Sequence, residues 1–439
     1  MSATALLAAA AFLGLLGLLG SRLAPLLASP EDGALYRGAL YTMAGAVVLH
    51  LLLTALDFAG LPWSPLLLAV LALALYGLGA RFLPRGPGPT GLPADFGWGD
   101  AVALFVAAAF TLVALTGWIT HPDFVFHWGI KGSRFFLARG VDYPYLARGW
   151  NWVLHPDYPN LLPELYAVPA LMAGRFDPLA LMLEAGALFA LLLAAVREGL
   201  RQGTGDRFVR QAGLALVALA AGAFGIGYRM AGSPDWMIAL ALAAAVPPLL
   251  RPPDRVGDVQ IGVLAAFAAG SKIEGVPLAA FLILAQWARH VLRERRPAVG
   301  AALRAGVPAA AVVLPWLGRT LHHHLFLALN SGPFTPSRAP AILAAALEGL
   351  RTPEWHGFLW AMLLPPLLLF HRRARPFAAV ATLELGFFFY VYFTSASAAQ
   401  TRAFLLSNFA RLGFQIVPAA LVMALLAWGP GEEAPLSGA

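Results

Sequence analysis

The sequence predicts an all-α integral membrane protein of about 13 transmembrane helices, with interfacial helices in one long outer loop, and three observations carry that prediction. Of 439 residues, 59% are hydrophobic and only 12% are charged. Apolar runs such as ATALLAAAAFLGLLGLLG, residues 3–20, recur along the chain and approach the roughly 20 residues that cross a hydrocarbon core. The basic residues, which leave a net charge of +7, gather in short clusters between these runs rather than along one polar face. That distribution is a topology signal, because arginine and lysine concentrate in cytoplasmic loops, and it points to the lipid bilayer as partner and to no nucleic acid. A soluble chain of this length could bury a large core, but not this many unbroken apolar runs. With no cysteine, the chain has no disulfide, thiol nucleophile or thiolate metal site.

Residues 3–20 lack a basic n-region and are soon followed by further apolar runs, so they are expected to be a retained span rather than a cleaved signal. Spans at 37–56, 64–83 and 99–118 come next. Arg22 and Arg37 lie in the first connection, no basic residue lies in 57–63, and Arg81 and Arg85 lie in the third. This puts the N-terminus outside and makes 119–160, the longest polar interruption, an extracytoplasmic loop. The piece LLPELYAVPALMAG (161–174) is too short to cross and is punctuated by Pro163 and Pro169; it is expected to be re-entrant or interfacial, with its orientation open. A span at 178–196 returns to the inside, and the arginine-rich stretches 197–210, 289–297 and 371–376 are all expected there. One path satisfies them: spans at 211–228, 236–250, 259–270, 276–288, 304–318, 354–370, 377–393 and 404–427. Residues 1–428 thus form one polytopic domain, and 429–439 are expected to be a disordered cytoplasmic tail. No repeat of fixed period and no inverted similarity between halves is visible, which lowers the standing of a transporter.

In THPDFVFHWGIKGSRFFLARG, Asp123, His127 and Lys131 are spaced i, i+4, i+8 and share one face of a helix. An amphipathic helix at the outer interface is expected there, with Trp128, Phe135 and Phe136 in the lipid boundary and the three polar groups at headgroup height. The competing reading is helix grammar. Pro-acid starts also occur in SPED (29–32), HPDY (155–158), SPDW (233–236) and TPEW (352–355), where proline and an acid suit a first turn. For Asp235 and Glu354 capping is the preferred reading; Asp123 differs because two candidate cations follow on its own face.

In GSKIEGVP (270–277), Lys272 and Glu274 interrupt an apolar hairpin, and ionisable groups at such depth mark either function or a local pair that reduces their cost. Arg411 lies in the last span with Ser407 at i−4, and its guanidinium suits a lipid phosphate; Glu384 on the neighbouring span is the alternative partner. His322, His323 and His324 point about 100° apart on a helix and do not converge on one metal. No Walker loop, dinucleotide glycine motif, HExxH or Gly-x-Ser-x-Gly is present, so no cofactor and no metal are indicated.

The order of DFVFHWGIKGSRFFLARG, HPDYPNLLPELYAVPAL and SKIEGVP resembles that of the multi-spanning GT-C glycosyltransferases, and is most similar to bacterial members related to the protein mannosyltransferase and aminoarabinose transferase group. The likeness covers about 119–175, 270–277 and the late arginine span. It implies an enzyme of the cell (inner) membrane, with its site facing the periplasm or exterior. Such an enzyme moves a sugar from a polyprenyl-phosphate donor, with inversion, to a hydroxyl or amine of a glycan, lipid or protein acceptor. On this resemblance Asp123 is the loop acid that acts as general base. The family often carries two neighbouring acids, whereas Phe124 and Val125 follow here, and a second acid is left to Asp157 or Asp142. Lys131, Lys272 and Arg411 would stabilise the leaving phosphate, with His127, Asp157, Tyr158 and Glu274 beside the substrates. Trp128, Tyr143 and Tyr158 line a pocket or an interfacial belt. Two rival readings stand beside the enzyme: a transporter or flippase of lipid-linked sugar, and a non-catalytic subunit of an envelope assembly machine.

Overall fold

The computed structural model describes residues 1–83, 95–325, 332–394 and 398–428; the expected tail at 429–439 lies outside the described residues. Within them the chain is helical, apart from turns and one isolated bridge between Thr120 and Ala231. The principal helices are α1 (Ala3–Ser21), α2 (Ala34–Phe58), α3 (Pro65–Phe82), α4 (Trp98–Leu115), α5 (Gly129–Ala138), α6 (Leu161–Ala173) and α7 (Pro178–Gly203). They continue with α8 (Arg207–Leu219), α9 (Asp235–Ala244), α10 (Arg255–Ser271), α11 (Gly275–Glu294), α12 (Val299–His322), α13 (Ala339–Arg351), α14 (Arg375–Phe393) and α15 (Ala398–Trp428).

Ten helices among the described residues are long and apolar enough to cross a membrane, so the chain has the make-up of a multi-pass membrane protein. The other three expected spans take different forms. The 236–250 run is α9 followed by a short helix Val246–Leu250, broken where Pro247 and Pro248 enter. The 259–270 run is α10, 17 residues long and carrying Arg255 and Asp258 in its first turn. The 354–370 run is a set of short pieces, Pro353–Trp355, Phe358–Leu363 and Leu364–Leu368.

The connections fall into two groups, each bonded within itself. At one end Arg251 pairs with Asp32 at 2.7 Å, Arg197 with Asp100 at 2.6 Å, Arg304 with Asp258 at 2.8 Å, and Arg373 reaches the Gln202 carbonyl at 3.1 Å. At the other, the Ser2 amide donates to Asp177 at 2.6 Å, Trp63 N–H to the Arg139 carbonyl at 2.7 Å, and Arg229 pairs with Glu354 at 2.9 Å. These groupings match the alternation that the loop arginines predict.

Small residues set the tightest crossings. A Cβ on Gly20 would lie 1.8 Å from the Tyr41 carbonyl oxygen and one on Gly45 1.9 Å from that of Leu16, so α1 and α2 meet backbone to backbone. The centre is α9, whose residues from Asp235 to Ala244 are each at most 1% exposed among α7, α10 and α15. The expected lipid-boundary placement of Trp128 and Phe135 is overturned: both are buried, at 1% and 0%. Val125 and Phe126 are exposed instead. The 161–174 piece is α6, and residues 161–171 are buried by protein.

Candidate functional site

Asp123, Lys272 and Arg411, far apart in sequence, meet through one further acid, Asp235. The Arg411 guanidinium touches Asp123 Oδ2 at 2.5 Å and Asp235 Oδ2 at 3.1 Å, both through Nη2, while its Nε reaches Asp235 Oδ2 at 3.2 Å. Lys272 Nζ touches Asp235 Oδ1 at 3.2 Å and Glu274 Oε1 at 2.9 Å. The Ser233 hydroxyl donates to Asp235 at 2.5 Å, and the Gln415 amide, one turn beyond Arg411, donates to the same carboxylate. Asp235 is wholly buried, whereas the side chains of Asp123 and Arg411 are 14% and 15% exposed. A buried carboxylate fixed on all sides thus anchors two cations, and a second carboxylate reaches the surface.

Local structure explains the convergence. The Thr120–Ala231 bridge, with His121 N–H donating to the Ala231 carbonyl at 2.8 Å, brings the start of the 119–160 loop beside the start of α9. Lys272 is extended between α10 and α11, a tight reversal that needs Gly275, since a Cβ there would lie 1.9 Å from the Ala268 carbonyl oxygen. Arg411 and Gln415, four apart on α15, present one polar face.

The capping reading of Asp235 is overturned. It does open α9, but its carboxylate makes no capping bond to the helix and is taken up by Lys272, Arg411, Ser233 and Gln415. Asp123 makes no capping bond either. HPDY is a turn rather than a helix start, with Tyr158 N–H donating to the His155 carbonyl at 3.0 Å, and α6 begins only at Leu161. Glu354, in a short 3-10 turn, pairs with Arg229.

The shared face of Asp123, His127 and Lys131 holds for only one step. Residues Phe124–Trp128 form a π-helical turn closed by the Gly129 amide on the Phe124 carbonyl, so the register slips before Lys131. Gly129 permits it, because a Cβ there would lie 2.4 Å from that carbonyl oxygen. His127 Nε2 stays 3.8 Å from Asp123 Oδ1, and its Nδ1 bonds the Val153 carbonyl. His121 sits 3.6 Å from Asp123, but its Nδ1 accepts the Asp123 amide at 3.0 Å, and burial lowers its pKa from 6.5 to about 4, leaving it neutral. Lys131 is turned inward: its ammonium donates to the His155 and Tyr158 carbonyls at 3.1 and 3.0 Å, and burial lowers its pKa from 10.5 to about 7. It therefore props the 155–158 turn rather than joining the charged cluster.

Tyr158 stands in that turn, its ring 4.6 Å from His155 and 5.8 Å from Trp128. Asp157 is buried near Lys131, and Asp142 pairs with Arg134 and caps the turn at Tyr145; neither acid contacts Asp123. Glu384 is not the partner of Arg411: its two carboxyl oxygens are buried without a hydrogen bond among the described residues. Ser407 turns its hydroxyl back to the Phe404 carbonyl at 3.0 Å. His323 stacks on Tyr143 at 3.9 Å, and no group of three or more potential metal ligands is present among the described residues.

Asp235 is the site residue that sequence reasoning assigned to a lesser role. The available signal was topological: the 229–235 connection falls at the same end as Arg411, where a lone arginine in an apolar span requires an acid. No family model matches the chain, and neither does any curated protein or solved structure. The site is read from its own geometry.

Proposed function

We propose that the protein is a membrane glycosyltransferase that moves a sugar from a polyprenyl-phosphate donor to an acceptor hydroxyl or amine at the end of the bundle holding Asp123, which the loop arginines make the outer face. The observation that carries this reading is the shared guanidinium: Arg411 Nη2 bridges a partly exposed carboxylate, Asp123, and a buried one, Asp235, with Lys272 alongside.

In this cluster three carboxylates face two cations, so no cation is spare for a phosphate. A donor phosphate enters by exchange, displacing Asp123 from Arg411, while the buried Asp235 keeps both cations in place. Displacement also prepares the base. Once parted from Arg411, the Asp123 carboxylate has the oxygen that met the guanidinium available to the acceptor's proton. Asp123 then accepts the proton of the acceptor as its oxygen or nitrogen attacks the anomeric carbon. The bond from that carbon to the phosphate oxygen breaks, and the electron pair leaves with the polyprenyl phosphate, whose gain of charge Arg411 and Lys272 stabilise. Direct displacement of this kind inverts the anomeric centre. His127, with Nδ1 committed to the Val153 carbonyl, has Nε2 free of that bond to relay the proton from Asp123 outward.

Purified protein in liposomes with a series of polyprenyl-phosphate sugars tests the reading. Asp123→Asn is expected to bind the donor at least as tightly as wild type, because a competing carboxylate is removed, and to lose transfer by about 100-fold or more. Full transfer by Asp123→Asn would remove Asp123 as the base. Arg411→Gln is expected to lose both binding and transfer.

A further inference from the structure

In and next to the charged cluster, four side-chain oxygens are buried with no hydrogen-bond donor among the described residues: Glu274 Oε2, Gln415 Oε1 and both carboxyl oxygens of Glu384. Glu274 gives its other oxygen to Lys272. Gln415 is oriented by the bond from its amide nitrogen to Asp235, so its unpaired end is the oxygen. Glu384 sits at mid-length of α14, which packs against α11 and α15, and the charges that act on it are those of Glu274 and Lys272.

The other ionisable groups on elements packed against α14 are held elsewhere or lie at helix ends. Arg411 holds Asp123 and Asp235, and Glu348 of α13 pairs with Arg402 of α15. Arg351 ends α13, and α11 carries Arg289, His290, Arg293 and Glu294 only in its last two turns. The short helices Val246–Leu250 and Leu364–Leu368 carry none.

A carboxylate in an apolar interior is stable as an ion only when it is paired and hydrogen-bonded, and Glu384 is neither. No group of three or more potential metal ligands is present among the described residues, so the positive partner that fits is a proton. A proton also turns Glu384 from an acceptor into a donor, which is what Glu274 Oε2 and Gln415 Oε1 lack. Glu184 on α7 is the internal comparison. Its two oxygens are likewise buried without a donor among the described residues, but only burial acts on it, so its protonation has no tie to the cluster.

We propose that Glu384 is a proton-binding site coupled to the cluster: it carries a proton at neutral pH, and that proton keeps Lys272 available to an anion. When the proton leaves to water, Glu384 becomes a fourth carboxylate facing two cations and competes with the anion for Lys272. Anion affinity therefore falls as pH rises. The proposal rests on the reading above only in taking the anion to be a phosphodiester held at Arg411.

Infrared difference spectra and binding in nanodiscs test it together. At neutral pH, wild type minus Glu384→Gln should contain the carbonyl stretch of a protonated carboxyl. Farnesyl methyl phosphate, whose single charge is fixed across the range, serves as binding probe. Wild type is expected to lose about tenfold or more in affinity between neutral and alkaline pH, as for a coupled pair of sites. Glu384→Gln, a neutral amide of the same shape, should keep the neutral-pH affinity and lack the alkaline fall. Glu184→Gln should remove its own carbonyl band and leave the wild-type fall in place. No protonated-carboxyl band from Glu384, a fall of equal size in Glu384→Gln, or a fall abolished equally by Glu184→Gln would each overturn the proposal. A wild type that binds no phosphodiester at either pH removes the donor reading above, and the band then decides alone whether Glu384 holds a proton, so the two claims fail separately.

Discussion

At the scale of single residues, burial divides the two aspartates that share Arg411. Asp235 is sealed among Lys272, Arg411, Ser233 and Gln415, so Asp235→Ala leaves two cations short of a counter-ion in a water-poor setting. The expected loss is about 3–5 kcal/mol of stability, read as a lowered melting temperature in detergent. Asp123 reaches the surface, and Asp123→Asn is expected to change stability by no more than about 1 kcal/mol. A pair of equal losses would contradict the division into anchor and base. Lys131 supplies a pH prediction. Its folded pKa of about 7 lies below the ordinary 10.5, so between those values the unfolded chain holds a proton that the folded one has released. Stability should therefore rise with pH across that window, and thermal melting of Lys131→Met should lack the slope.

The residue patterns were legible where a single side chain decides. Arg411 and Lys272 stand out because charge in an apolar run has few explanations. Asp235 was hidden by grammar: five Pro-acid starts make each look like a cap, and only the third dimension shows that its carboxylate faces two cations instead of its own helix.

At the scale of elements, what the sequence could not convey was a change of helix type. An i, i+4, i+8 spacing assumes one helix, and the π-helical turn at Phe124–Trp128 breaks the assumption after His127. The signal available in hindsight is Gly129, the residue whose missing Cβ lets the turn close on Phe124. Gly129→Ala tests this. It should force a regular turn, rotate Asp123 away from Arg411 and cut transfer, at a cost of about 1–3 kcal/mol in stability; unchanged transfer would mean that the turn does not position Asp123. The Trp128 and Phe135 rings, expected among lipids, are buried for a related reason: Gly132 lets α5 lie against α6, where a Cβ would meet Tyr166 at 2.9 Å.

At the scale of the whole molecule, the alternation of loops was readable because arginines mark one end and the chain has enough connections to over-determine the path. Two of the expected runs, however, are divided by prolines at 247–248 and 365–366, where composition alone treats them as continuous. Since the chain has no cysteine, orientation is testable by single replacements at exposed loop positions. Ala147→Cys should react with an impermeant maleimide from outside intact cells, and Gly205→Cys only after permeabilisation. The reverse pattern would place the charged cluster on the cytoplasmic side. Between the cluster and the network at the opposite end lies α9, buried along its whole length.

The most direct measurement follows one doubly labelled polyprenyl-phosphate sugar in sealed vesicles holding the protein, reading both new glycosidic product and movement of the intact lipid between leaflets. The account predicts product that depends on Asp123 and Arg411, with no protein-dependent movement of the uncleaved lipid. Movement of the intact donor without any new glycosidic bond would contradict it and identify the charged cluster as a headgroup carrier.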